Sequence, residues 1–277
     1  QSAKKPFFLY MPLTAPHTPI LPSEEFRGKS GLSPYGDFVM MVDDVVAQIV
    51  ARLKEQGLYE NTVVVFAADN GCFHGAGVKE MEAGGHFPSY IYRGYKSDLF
   101  DGGHRVPLVV SRGGKNGGRV ERGLVSLTDF YATFAEMAGY RLTPGEGEDS
   151  YSLWGVVTGK GGNLRPDAVH HSNNGSFSLR EGRWKILFTA GSGGWSFPTF
   201  PKDREYIATL PSMQLYDLES DPGETKNVIA EHPDVVRRLT VRMREHIERG
   251  RSTPGPVQTN ETRGEWKQTA LFMNEAE

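Results

Sequence analysis

The sequence predicts an α/β protein: a layered domain with a mostly parallel sheet over residues 1–145, then a smaller α+β subdomain with an antiparallel sheet, and a tail, over 146–277. Three observations carry this reading. Thr62-Val63-Val64-Val65-Phe66-Ala67-Ala68 is continuously apolar and β-branched, as expected of a strand covered on both faces. Ahead of it, Phe38, Val39, Val42, Val45, Val46, Ile49 and Leu53 recur at helical spacing. After about residue 142, Gly, Pro, Ser and aromatic residues dominate, with short strand candidates at hairpin distances.

In chain order, Pro6-Phe7-Phe8-Leu9-Tyr10 is a short apolar run read as a strand, leading into the turn-rich Pro12 to Pro19. The first helix starts at Ser33, an N-cap followed by Pro34 at the first helical position, and stops at Gly57. The 62–68 strand ends abruptly at Asp69-Asn70-Gly71. Val106 to Val110 forms another apolar stretch after Gly102-Gly103-His104-Arg105, and a second helix spans about 126–138 before Gly139. This strand–helix–strand rhythm favours the layered sheet, whose chemistry collects in loops beyond the carboxyl ends of strands. In the second half, strand candidates lie at 176–180, 183–189 and 213–218, and a final amphipathic helix runs from about Pro233 to Gly250. The stretch 190–212 is long enough for a functional loop.

Composition narrows the function classes. Of 277 residues 38% are hydrophobic and 33 more are Gly, which places the chain among globular proteins. Lys+Arg 31 against Asp+Glu 34 gives a net charge of -3, too balanced for a nucleic-acid or polybasic membrane binder. No apolar run approaches a membrane span. The single cysteine, Cys72, excludes an intrachain disulfide and a thiolate zinc cluster.

Asp69 and Asn70 set a carboxylate and an amide oxygen side by side, hard ligands suited to Ca²⁺ or Mg²⁺. The same dipeptide also suits an Asx turn closing the strand. His17, held between Pro16 and Pro19, is either a stiffly mounted proton donor or an ordinary loop histidine. Lys96, in Arg93-Gly94-Tyr95-Lys96, could bind an oxyanion or belong to a solvated basic loop. Arg105 reads as a structural guanidinium tying loop carbonyls together. His74, His86 and His104 with Asp69 and Asp101 could assemble a zinc site, but no pair has compact ligand spacing. Substrate contacts suit His86 and His104 better. Cys72 reads as a small buried residue, not a nucleophile.

Taken in order, these pieces resemble the sulfatase family of the alkaline-phosphatase-like superfamily. The resemblance lies in Pro6 to Tyr10 with Ala15-Pro16-His17-Thr18-Pro19, Asn61 to Gly71, Tyr92-Arg93-Gly94-Tyr95-Lys96 and Gly102-Gly103-His104-Arg105-Val106-Pro107. Leu179 to Lys185 and Leu215 to Glu224 are similar to the family's closing hairpin signatures. The resemblance implies that Asp69 and Asn70 bind Ca²⁺, in preference to Mg²⁺. It also implies that His17 contacts the sulfate and leaving-group oxygen, and that Lys96 binds a sulfate oxygen. Gly85-His86-Phe87-Pro88-Ser89 with Gly103-His104 is similar to bacterial members acting on sulfated carbohydrates, which makes His86 and His104 substrate contacts and a carbohydrate or aryl sulfate the substrate. A periplasmic or secreted location follows from the family alone.

The family nucleophile, a formylglycine made in a Cys/Ser-x-Pro-x-Arg motif, has no counterpart here. Cys72 is followed by Phe73-His74-Gly75, and Ser196-Phe197-Pro198-Thr199-Phe200 has Phe200 in place of the Arg. In the family that motif and an early acidic pair lie upstream of the segment at which this chain opens with Gln1. The expectation is therefore the C-terminal part of a sulfatase, inactive without an N-terminal portion carried on the same precursor or another chain. The competing readings are a phosphoesterase of the same superfamily, and a non-catalytic binder of sulfated glycans.

Overall fold

Ser33 opens the first helix as its sequence suggests. Its Oγ accepts the Gly36 N–H at 3.2 Å, and Pro34 begins α1 (Pro34–Glu55). Arg52 and Lys54 complement the carbonyl end, and Gly57, at φ +65°, supplies the left-handed residue just past it. The computed structural model describes residues 5–115, 118–162, 164–259 and 266–273, so Gln1 lies outside them. It divides into two compact units: Gln1–Tyr59 with Phe73–Pro88, and Glu60–Cys72 with Ser89–Glu277.

In the first unit α1 buries Phe38 and Val42, and α2 (Val78–Ala83) buries Val78 and Met81. Asp37, also buried, accepts the Gly28 and Ser30 N–H groups at 2.7 and 2.8 Å and fastens the preceding turns to the helix start. The run read as a strand before His17 forms no regular element, and Phe7, Phe8, Leu9 and Tyr10 are exposed. Apolar composition alone does not make a strand. The backbone needs a pairing neighbour, and no strand of the described residues pairs with this run.

In the second unit β1 (Val63–Ala67) and β2 (Leu108–Arg112) pair in register from Val63 opposite Arg112 to Ala67 opposite Leu108. The α/β class stands, but this pair is antiparallel where the sequence suggested a parallel sheet. A continuous apolar run reports that a strand is covered, not which way its neighbour runs. The connection between them carries the short helices α2 and α3 (Asp101–His104). β2 starts two residues later than its apolar run because Pro107 has no N–H for the ladder. A capped 3₁₀ turn at Leu127–Asp129 leads into α4 (Phe130–Met137), which Gly139 ends at φ +73°, and α5 (Trp154–Thr158) follows.

The C-terminal sheet is an antiparallel meander of β3 (Asp167–His171), β4 (Phe177–Glu181), β5 (Trp184–Leu187) and β6 (Gln214–Asp217). A short turn, α6 (Arg204–Ile207), interrupts the long β5–β6 connection, and α7 (Pro233–Arg249) and α8 (Ala270–Met273) complete the unit. Side chains alternate between the two faces of this sheet. Leu179, Ile186 and Leu215 pack with Leu239 and Met243 of α7 and Phe272 of α8. Leu187 and Tyr216 pack instead with Leu99 and Phe100. The second face is thus a platform for the loop that carries Lys96 and Gly102–His104.

Candidate active site

The loop after β1 is knitted by backbone to the loop before β2. The Gly71 N–H donates to the Gly103 carbonyl at 2.9 Å, and the Lys96 N–H to the Cys72 carbonyl at 2.9 Å. The Gly102 N–H reaches the Arg93 carbonyl at 2.8 Å. Side chains would block this approach. A Cβ on Gly71 would lie 1.8 Å from the Gly102 oxygen, and one on Gly102 would lie 2.1 Å from the Gly94 oxygen. The glycines therefore bring Asp69-Asn70-Gly71-Cys72, Lys96 and Gly102-Gly103-His104 into one assembly.

Behind them lies a buried charge cluster. Lys185, with no exposed surface, places Nζ 2.7 Å from Asp101 Oδ1 and 2.9 Å from Glu224 Oε1. Glu224 Oε2 accepts the Asp101 N–H at 2.6 Å. Arg180 and Arg105 approach the second Asp101 oxygen at 3.6 and 3.4 Å. Burial pushes the Asp101 carboxyl up, but Lys185 and His104 outweigh it and hold the group well below the usual carboxylate range. Burial raises Glu224 in spite of Lys185, with Asp101 adding to the rise. Two carboxylates thus share one ammonium.

His104 Nε2 lies 3.3 Å from Lys185 Nζ, and its ring stacks on His170 at a centroid distance of 3.8 Å. Burial first, then the neighbouring ammonium, push its pKa down to about 4. Burial also holds His170 well below the usual imidazole value. Both rings are neutral at neutral pH. Arg105 pairs with Asp101 and covers the Tyr92 ring at 4.3 Å; it holds a carboxylate and a ring, not the loop carbonyls the sequence suggested.

Among the sequence-predicted residues, Asp69, Asn70, Lys96 and His104 belong to the second unit, and His17 and His86 to the first. Asp69 is exposed; Asn70 and Lys96 are half-buried. Asn70 Nδ2 donates to the Gly71 carbonyl at 3.0 Å, so the amide also serves the turn. His17 is exposed, with Nδ1 donating to the Thr18 carbonyl at 2.7 Å, and His86 is exposed. Sequence reasoning assigned no role to Lys185, Glu224 or Asp98. One signal was available: Lys185 lies in a strand two residues before Leu187, an apolar residue on the same face of the sheet.

Asp69 and Asn70 offer hard oxygen donors, the chemistry that Ca²⁺ or Mg²⁺ prefers. Among the described residues no three His, Cys, Asp or Glu side chains converge as a metal-binding group; Ca²⁺ takes about six to eight oxygen donors, of which this dipeptide would supply only a part.

A family model described as Sulfatase matches residues 1–140. An N-acetylgalactosamine-6-O-sulfatase of Bacteroides thetaiotaomicron is 31% identical over 243 residues, 86% of this chain and 46% of that protein. Human arylsulfatase A is 31% identical over 238 residues, 83% of this chain and 45% of its own length. A solved structure from work on glycosaminoglycan metabolism by Bacteroides thetaiotaomicron superposes with a TM-score of 0.75 at 30% identity, over 87% of this chain and 50% of that one. The chain spans about half the length of the relatives it matches. On the family match and the ordered motifs together, the chain belongs to the sulfatase family.

Proposed function

We propose that this chain supplies the sulfate-binding and part of the metal-binding side chains of a sulfatase acting on a carbohydrate sulfate, with the aryl sulfates of arylsulfatase relatives as accessible model substrates. The observation that supports it is the 2.9 Å bond from the Lys96 N–H to the Cys72 carbonyl, which ties the backbone of Lys96 to the residue two places after Asn70. In this reading Lys96 binds a sulfate oxygen and offsets charge on the transferring SO₃ group. His17, with Nδ1 committed to Thr18, uses Nε2 to hold a proton for the departing alkoxide. Asp69 and Asn70 would hold Ca²⁺, in preference to Mg²⁺, and the ion would supply positive charge that offsets that of the sulfate. His86, and the exposed fifth of the His104 side chain, contact the sugar.

The formylglycine nucleophile and the remaining metal ligands belong, in this proposal, to an N-terminal portion preceding residues 1–145, and the catalytic domain passes to its C-terminal subdomain at 145/146. This chain alone is then inactive. The carbohydrate assignment draws on the N-acetylgalactosamine-6-O-sulfatase relative, and the periplasmic or secreted location on the family. Nucleic acid is not a partner in this reading. No helix of the described residues is long and apolar enough to cross a membrane.

The test is a paired assay of sulfate and phosphate monoesters by the polypeptide joined to its N-terminal portion. Faster sulfate hydrolysis is expected, with K96A lowering kcat by about 10²–10³. Preference for the phosphate ester would make the chain a phosphoesterase and overturn the proposal.

A further inference from the structure

Asp98, only 3% exposed, follows Lys96 by two residues and gathers four donors on its two oxygens. Oδ2 accepts the Tyr95 N–H at 2.8 Å and the Ser196 hydroxyl. Oδ1 accepts the Trp195 and Ser196 N–H groups at 2.9 and 3.0 Å. One donor thus precedes Lys96 in the chain, and the others come from the β5–β6 connection. Glycines leave the room for this approach: a Cβ on Gly94 would lie 3.0 Å from Oδ2, and one on Gly194 2.5 Å from Oδ1.

Between Lys96 and Asp98 the backbone is strained. Ser97 has φ +88°, in the region that residues with a Cβ avoid. Such a conformation persists only where its surroundings over-determine it. Here the Ser97 carbonyl accepts the Asn173 N–H at 3.1 Å, and Ser97 Oγ accepts the Trp195 N–H at 3.2 Å. The Asp98 N–H closes on the Tyr95 carbonyl at 3.1 Å, and the next residue, Leu99, is fully buried. Fastening two loops to each other requires no left-handed serine; the strain falls on the turn that carries Lys96.

The residue type follows from the donors. They converge on both oxygens of Asp98, so each must accept. An amide has one acceptor oxygen, and its NH₂ would face N–H or O–H groups on the other edge.

We propose that Asp98 is the positioning residue of the sulfate site, holding the Tyr95-Lys96-Ser97 turn in the one shape from which Lys96 binds sulfate. The inference rests on the reading of Lys96 as a sulfate ligand and adds the group that orders it before sulfate arrives, which lowers the ordering cost of binding.

The experiment titrates inorganic sulfate into the wild-type chain, D98N, S196A, K96A and the double variants K96A/D98N and K96A/S196A, with the thermal midpoint of each measured alongside. D98N is expected to weaken sulfate about threefold to tenfold, and S196A, which removes one donor of the four, about twofold to threefold. In the K96A background neither should weaken sulfate further, because Asp98 acts through Lys96. A merely structural role would lower the midpoint without producing this non-additivity. Where D98N does not fold, S196A carries the same cycle. If K96A weakens sulfate but the Asp98 and Ser196 variants bind it as wild type does, or their losses add to that of K96A, the positioning role is wrong and the sulfatase reading survives. If K96A binds sulfate as tightly as wild type, the role of Lys96 falls and the positioning role with it.

Discussion

Lys185 Nζ lies 2.7 Å from Asp101 Oδ1, a contact between residues 84 positions apart in which neither side chain has appreciable exposure. It joins the C-terminal sheet to the first residue of the Gly102-Gly103 turn, and that turn in turn holds the Gly71 backbone. The geometry of the candidate site therefore depends on a strand far from it in sequence.

Removing Lys185 leaves Asp101 and Glu224 buried without their shared ammonium. Replacement of Lys185 by Met is expected to destabilise the chain by about 3–5 kcal/mol. Chemical denaturation of the two proteins measures it, and a loss under about 1 kcal/mol would show that the cluster does not support the fold.

His104 makes stability depend on pH with a defined sign. Its folded pKa of about 4 lies below the ordinary 6.5, so between these values the unfolded chain binds more protons and stability falls as pH falls. The full effect is about 3 kcal/mol, present above pH 6.5 and lost by about pH 4. His170, lowered by burial, acts in the same direction, whereas Glu224, raised by burial, opposes it. The informative quantity is the difference between wild type and H104Q. Parallel curves over this window would contradict the assignment.

Gly71 tests the backbone junction alone. Replacement of Gly71 by Ala places a methyl group 1.8 Å from the Gly102 oxygen, so the loops must separate. A loss of about 1–3 kcal/mol is expected by analogy with overpacked cores, together with weaker sulfate binding. Unchanged melting and unchanged binding would mean that the two loops need not touch.

Several elements were legible because their signals are local. Ser33-Pro34 and Gly57 bounded α1, and the β-branched run marked β1. The antiparallel direction of β2 was not legible, because an apolar run carries no sign of which way its neighbour runs. β3 escaped notice because Asp167 and the adjacent His170 and His171 mask any apolar alternation; Asp167 is buried because Arg242 and His246 of α7 reach it at 2.8 and 2.9 Å. For the site, Asp69-Asn70 and Lys96 stood out from ordered motifs. Lys185 and Glu224 were visible only as letters of closing signatures, since burial of a lysine between two carboxylates is a tertiary fact.

In the proposed function Asp69-Asn70 and Lys96 form one pocket for a cation and a sulfate. The most direct measurement titrates inorganic sulfate, with and without Ca²⁺, into wild type, D69A and K96A. Ca²⁺ is expected to tighten sulfate binding to wild type, D69A to abolish this coupling, and K96A to weaken sulfate about 10- to 100-fold, as loss of a charge-assisted hydrogen bond should. Sulfate affinity that is indifferent to Ca²⁺ and unchanged in both variants would contradict it.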